Sequence, residues 1–185
     1  SIIMNDNILQ LHADDNHIGA GFSFDNHVES ETKGEFIVNG DVSREDESRI
    51  FDLRIMPSSL HYNSKEWNIQ PSDIRIYDGN ISIDSFGAIS GEQSISVHGR
   101  ASDTPGDVLS LYLERFDLSI VNSLLPRDFG IKGAVTGTAS LTSPVSDRNI
   151  DIDLLCDSSY VANVPLGVFR VGMEWNDPEE CFDFH

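Results

Sequence analysis

The chain has 185 residues and sets 12 Lys and Arg against 31 Asp and Glu, a formal charge of −19. A surface this acidic is repelled by phosphate backbones, which argues against nucleic acid as a partner. There is also no polybasic or basic amphipathic segment for docking on anionic headgroups. Hydrophobic residues make up 39%, low for a closed globule but compatible with a sheet that is apolar on one face only.

No apolar run approaches the roughly 18–20 residues that a membrane-spanning helix needs, and no basic-then-apolar leader opens the chain. Ser1 and the closing Cys181-Phe-Asp-Phe-His185 both fall inside strand patterns. The expectation is one β-rich slab, residues 1–185, cut from a longer polypeptide. The cysteines, Cys156 and Cys181, lie in no Cys-x-x-Cys or Cys/His cluster, so a zinc site is not expected. Two free thiols are favoured over a disulfide.

The strand pattern has period 2. Phe22 and Phe24 share a face, as do Phe36 and Val38, then Leu53 and Ile55 before Pro57. Trp67 and Ile69 precede Pro71, and Ile74 and Ile76 alternate with Asp73, Arg75 and Tyr77. Asp78-Gly79 is a strong hairpin turn, followed by Ile81 and Ile83, then Ile95 and Val97, then Leu109, Leu111 and Leu113. The period then changes. Asp117 is placed to cap a helix over residues 117–125, stopped by Pro126, with Leu118, Val121, Leu124 and Leu125 on one face. Period 2 resumes with Gly133, Val135, Gly137, Ala139 and Leu141, then Ile150, Ile152 and Leu154. Val164, Leu166 and Val168 read as one further strand, Phe169, Val171, Met173 and Trp175 as the next, and Phe182 and Phe184 close the series. Roughly a dozen short strands at this spacing define an all-β chain. Glycines inside the strand after the helix permit a bend or close backbone approach.

Few residues suggest chemistry. His12, His17, His27, His61, His98 and His185 form no His-x-His pair and no helical i, i+4 pair. Asp14-Asp15-Asn16-His17 lacks the spacing of a calcium loop and reads as a solvated turn. Asp151 and Asp153 flank Ile152 and could serve as paired carboxylates, but in so acidic a chain they read as a solvent-facing pair. No Gly-x-Ser-x-Gly elbow, phosphate loop or dinucleotide fingerprint is present. Trp67 and Trp175, with Phe86, Phe116 and Phe129, could stack on sugars or belong to the sheet's core; core is the expectation. No catalytic residue, metal or cofactor is expected.

The order of elements resembles the TamB family of Gram-negative translocation and assembly module proteins and the related AsmA-like envelope proteins. The resemblance runs over residues 50–176. It is carried by Trp67-Asn-Ile-Gln-Pro71, Ile74-Arg-Ile76, Asn80-Ile-Ser-Ile-Asp84 and Gln93-Ser-Ile-Ser-Val-His-Gly99. Leu109-Ser-Leu-Tyr-Leu113, the Asp117-Leu118 helix and Gly130-Ile-Lys-Gly-Ala-Val-Thr-Gly137 continue it, and Asn163–Asn176 matches the family's closing strand pair. Residues 1–49 fit as additional strands.

The resemblance implies a non-enzymatic segment of a periplasmic protein whose inner-membrane anchor lies outside this chain. It implies a half-open, apolar-lined β tube linked to outer-membrane protein assembly and to phospholipid movement between membranes. An Omp85-type outer-membrane partner would meet other regions of such a protein.

The expected fold is therefore a long curved, mostly antiparallel sheet forming an open apolar groove, with one short amphipathic helix near 117–125. Ile76, Ile83, Val97 and Leu111 are the candidate lining positions, for lipid acyl chains or nascent outer-membrane protein strands. Open edges could pair with a second copy. A closed β-sandwich binding module, for a glycan or in an adhesin, is the alternative; a hydrolase on a β scaffold is the third reading.

Overall fold

The computed structural model describes residues 6–14, 16–26, 32–45, 48–62, 64–124, 129–142, 149–162, 164–176 and 181–184. Expectations that rest on Asp15, His27, Leu125, Pro126 or His185, or on the side chains of Val121, Leu124, Trp175 and Cys181, lie outside the described residues. Among the described residues the fold is all-β, with fourteen strands in a single sheet.

The strands run β1 (Asp6–Asp14), β2 (His17–Asn26), β3 (Thr32–Glu45), β4 (Ser48–Ile55), β5 (Ser58–Tyr62), β6 (Lys65–Ile69) and β7 (Ser72–Tyr77). They continue with β8 (Asn80–Ser90), β9 (Gln93–Ala101) and β10 (Val108–Asp117). A six-residue helix, α1 (Ser119–Leu124), precedes β11 (Lys132–Thr142), β12 (Asn149–Val161), β13 (Val164–Asn176) and β14 (Cys181–Phe184). Each strand pairs antiparallel with its neighbours, as the short connections between them require. The path begins at β1 and ends at β14, and these two are not paired with each other among the described residues.

The order is a meander except at its centre. β4 and β5 lie end to end along β3: β4 pairs with Val38–Glu45 and β5 with Lys33–Glu35. In the same way β7 and β6 lie end to end along β8. Each composite strand breaks at a proline, at Met56-Pro57 and at Gln70-Pro71. Proline has no N–H for the ladder, so a central strand cannot run through it unbroken.

The breaks fall at one level, because Ile55 pairs with Ser72 and Ser58 with Ile69 on either side. The remaining backbone groups there find other partners. Met56 N–H donates to the Ile37 carbonyl at 2.9 Å and Gln70 N–H to the Gly87 carbonyl at 2.7 Å. Ile37 N–H donates to Ser58 Oγ at 3.3 Å, and that hydroxyl donates to the Met56 carbonyl at 2.8 Å.

Asp78 and Gly79 both have positive φ, 48° and 78°, between the paired Tyr77 and Asn80. This is the type I′ geometry that favours Asp-Gly in a two-residue hairpin. Gly99 lies inside β9 at φ 109°, where a Cβ would run into the Val108 carbonyl oxygen of the next strand.

One expectation is corrected. Residues 164–168 and 169–175 are not two strands but one, β13. The hydrophobic phase shift there reflects a register irregularity against β12, with Gly167 at φ 76° and Ser158 at φ 52°, rather than a turn. Val164, Leu166 and Val168 stay largely exposed.

Candidate functional site

Residues directly opposite in an antiparallel ladder point to the same side of the sheet, so the register assigns every side chain to a face. One row runs Ala13, Ile18, Gly40, Leu53, Ile74, Ile83, Gly99, Leu109, Leu141, Ile150. It crosses ten strands without a polar side chain. The next row runs Phe86, Val97, Leu111, Ala139, Ile152, Met173. Ile76 stands on the same face, between Phe51 and Ile81. The register therefore brings Ile76, Ile83, Val97 and Leu111 to one side of one sheet.

All four are half-buried. No described side chain is buried to below 2% exposure, and the buried apolar set is small: Ile50, Ile55, Trp67, Ala88, Ala101, Val135 and Cys156. The chain exposes 12114 Å². A compact globule of 20.5 kDa would expose about 8,900 Å².

The opposite face carries the charge. Arg54 makes a two-pronged hydrogen bond to Asp73, at 2.6 and 2.9 Å, and Arg75 stands 3.6 Å from Asp52. His17 Nδ1 lies 3.0 Å from Asp41 Oδ1, and Arg170 grips Asp153. The hydrogen bond between them raises the Arg54 guanidinium and lowers the Asp73 carboxyl. These pairs are exposed, so each adds little to stability.

A depression of about 720 Å³ opens on this polar side, between His17, Asp41, Asp52, Arg54, Asp73 and Arg75. Its charges satisfy one another across the strands. Asp151 and Asp153 both point to this face, with Asp153 held by Arg170. The described residues include no cluster of metal-ligating side chains. His98 stacks flat on Tyr112 at 5.1 Å, and Cys156 is a free, buried thiol.

One set of contacts crosses the apolar face. β6 and β10 are separated by β8 and β9, three spacings or about 14 Å in a flat sheet. Yet the Trp67 and Phe116 rings lie 5.9 Å apart, and Lys65 Nζ donates to Asp117 Oδ2 at 2.6 Å. Lys65 and Trp67 share a face with Ile69 by period 2, so the sheet bends toward its apolar side at this point.

Asp117 Oδ1 also accepts from Ser119 N–H at 2.9 Å, closing the start of α1. Partial burial pushes the Asp117 carboxyl up, but its hydrogen bonds from Lys65 and Ser119 outweigh that and hold it below the usual carboxylate value. Asn122 ties α1 to Ile131, donating to its carbonyl and accepting from its N–H.

The aromatic residues weighed for sugar stacking do not form one surface. Trp67 is buried against Phe116, Phe86 is half-buried and Phe129 is half-exposed. Lys65 carried a signal that the sequence reading missed: a charge at an apolar-phase position of a strand needs a partner across that face.

Searches against protein-family models, curated proteins and solved structures find no match to this chain.

Proposed function

We propose that this chain is a non-enzymatic carrier segment of a cell envelope. In this reading its sheet forms an open trough whose apolar face shields lipid acyl chains in transit between an inner and an outer membrane. The observation that carries the reading is the unlayered apolar face of the described residues: one uninterrupted apolar row over ten strands and a second over six, mostly half-buried where a closed core would be buried. The resemblance of residues 50–176 to TamB and AsmA-like proteins supplies the cellular setting, the periplasm, with an inner-membrane anchor and an Omp85-type partner engaged through regions beyond this chain.

The face suits acyl chains better than nascent polypeptide. Its backbone donors and acceptors are consumed by the ladder, so a polypeptide laid on it would leave its own amides unpaired, at about 1–3 kcal/mol each. An acyl chain has no such groups and gains about 0.8 kcal/mol per methylene removed from water. A nascent strand, or a second copy of this chain, would instead pair at the open edges β1 and β14. The acidic, self-paired outer face keeps such a slab soluble and weakens its hold on anionic headgroups.

The closed-sandwich alternative would need fully buried side chains at Val97 and Leu111, and both are only half-buried. A hydrolase reading would need a free carboxylate pair, and Asp153 is engaged by Arg170.

The test is native mass spectrometry, with lipid extraction, of the chain purified from a Gram-negative host. Copurifying phospholipid that is lost in a folded Leu111→Asp variant supports the trough. A lipid-free, monomeric chain whose apolar face binds no lipid overturns it.

A further inference from the structure

The hairpin β5–β6 is attached to the sheet unlike any other element. Its ladder to β3 covers only Lys33–Glu35, and its ladder to β8 only Asn68 and Ile69. At its base both strands break together, at Met56-Pro57 and Gln70-Pro71, where prolines remove ladder donors and a serine hydroxyl substitutes for a backbone partner. At its far end, beside its turn, Lys65 and Trp67 reach over the β8–β9 turn to Asp117 and Phe116. These links are made by side chains alone.

Three of the buried apolar groups of the face lie in this region. Trp67 is 5% exposed, Ala88 7% and Val135, paired with Phe116, 2%. Trp67 is the hairpin's own contribution to this buried set, through its contact with Phe116.

We propose that β5–β6 is a hinged flap, with the two proline breaks as its hinge and the Lys65–Asp117 and Trp67–Phe116 contacts as its latch, closing over this part of the apolar face. The latch draws on two residues that also build the neighbouring element: Asp117 caps α1, and Phe116 stands beside a bulge in β10, where Arg115 has φ 46°. A change in how α1 sits would thus reach the latch directly. Opening would uncover Trp67 and Phe116 as a continuation of the apolar rows. That consequence rests on the proposed role of the face as a cargo surface; the flap itself does not.

Trp67 reports on the latch. In a Trp175→Phe background it is the chain's one remaining tryptophan. Lys65→Met and Asp117→Asn each break the ion pair, and the asparagine retains a good helix cap. Each should raise acrylamide quenching of Trp67 at least twofold and shift its emission to the red, with the far-ultraviolet circular dichroism unchanged. Trp67 staying equally shielded in both variants overturns the flap.

Hydrogen exchange on the unaltered chain gives a readout that needs no variant. Residues 58–69 should exchange together and faster than Ile95, Val97 and Leu111 on β9 and β10; equal protection overturns the proposal. Uptake of an apolar dye separates the two readings. A latch variant that frees Trp67 without gaining dye leaves the flap standing and counts against cargo binding at this position.

Discussion

Lys65 and Asp117 are 52 residues apart in the chain and 2.6 Å apart in space, joined by a hydrogen-bonded ion pair. Both are about a third exposed, so the pair is screened, and its loss in Lys65→Met should cost about 1 kcal/mol. The pH dependence has a definite sign. The Asp117 carboxyl is held below its ordinary value of 3.8 in the folded chain. Its contribution is therefore complete above that value and is lost as the pH falls through the lower, folded one. Urea unfolding at pH 7 and pH 5 should show the same gap between wild type and Lys65→Met, and the gap should close below about pH 4. Glu92 and Arg115 also border Asp117, and a Glu92→Gln control separates their contribution. A gap that widens in acid would refute the assignment.

The two faces make opposite predictions for one strand. Leu111 stands on the apolar side of β10 and Ser110 on the polar side, where it pairs with His98. Leu111→Asp should abolish binding of an apolar probe such as a naphthalene sulfonate dye, whereas Ser110→Asp should leave it within about twofold. Leu111 is half-buried, so its replacement should also lower stability by about 1–3 kcal/mol. Fluorescence titration beside chemical denaturation distinguishes lost binding from lost fold.

Much of this arrangement is legible in the sequence. Period 2 groups Ile81 with Ile83, Ile95 with Val97 and Leu109 with Leu111 within their own strands, and Asp78-Gly79 has one favoured turn. Other features depend on partners distant in the chain. That β4 and β5 form one broken strand is decided by β3, which pairs with both; a proline by itself signals only an end. The phase shift at Val168-Phe169 has the same local signature whether the strand stops or bulges, and the ladder with β12 makes it a bulge. The Arg54–Asp73 and Arg170–Asp153 pairs follow from register, since each partner alone is an ordinary surface charge.

Gly99 is a position where only glycine fits. Its φ of 109° is closed to side chains, and a Cβ would meet the Val108 carbonyl of the neighbouring strand. Gly99→Ala should destabilise by about 2 kcal/mol or more, measured by thermal or urea unfolding. Gly79→Ala is the control. There φ is also positive, at 78°, but nothing lies within reach of an added Cβ, so the smaller loss reports backbone strain without the clash. Equal losses at the two sites would mean that β9 and β10 are not packed as closely as the register states.

Cys156 tests the depth of the apolar face near its far end. It sits between Val135 and Phe169 in the register, 6% exposed, and burial pushes its thiol above the ordinary value. A thiol reacts as its thiolate, and both burial and a raised value suppress that form. In a Cys181→Ser background, reaction with a disulfide reagent at pH 8 should be at least a hundredfold slower than in the urea-unfolded chain. Adding sub-denaturing urea discriminates further. If this region opens only with global unfolding, the labelling rate should follow the global unfolding constant; if the sheet frays from β14 inward, labelling should accelerate well before the unfolding transition. The second outcome would mark β12–β14 as a separate, weaker unit of the sheet.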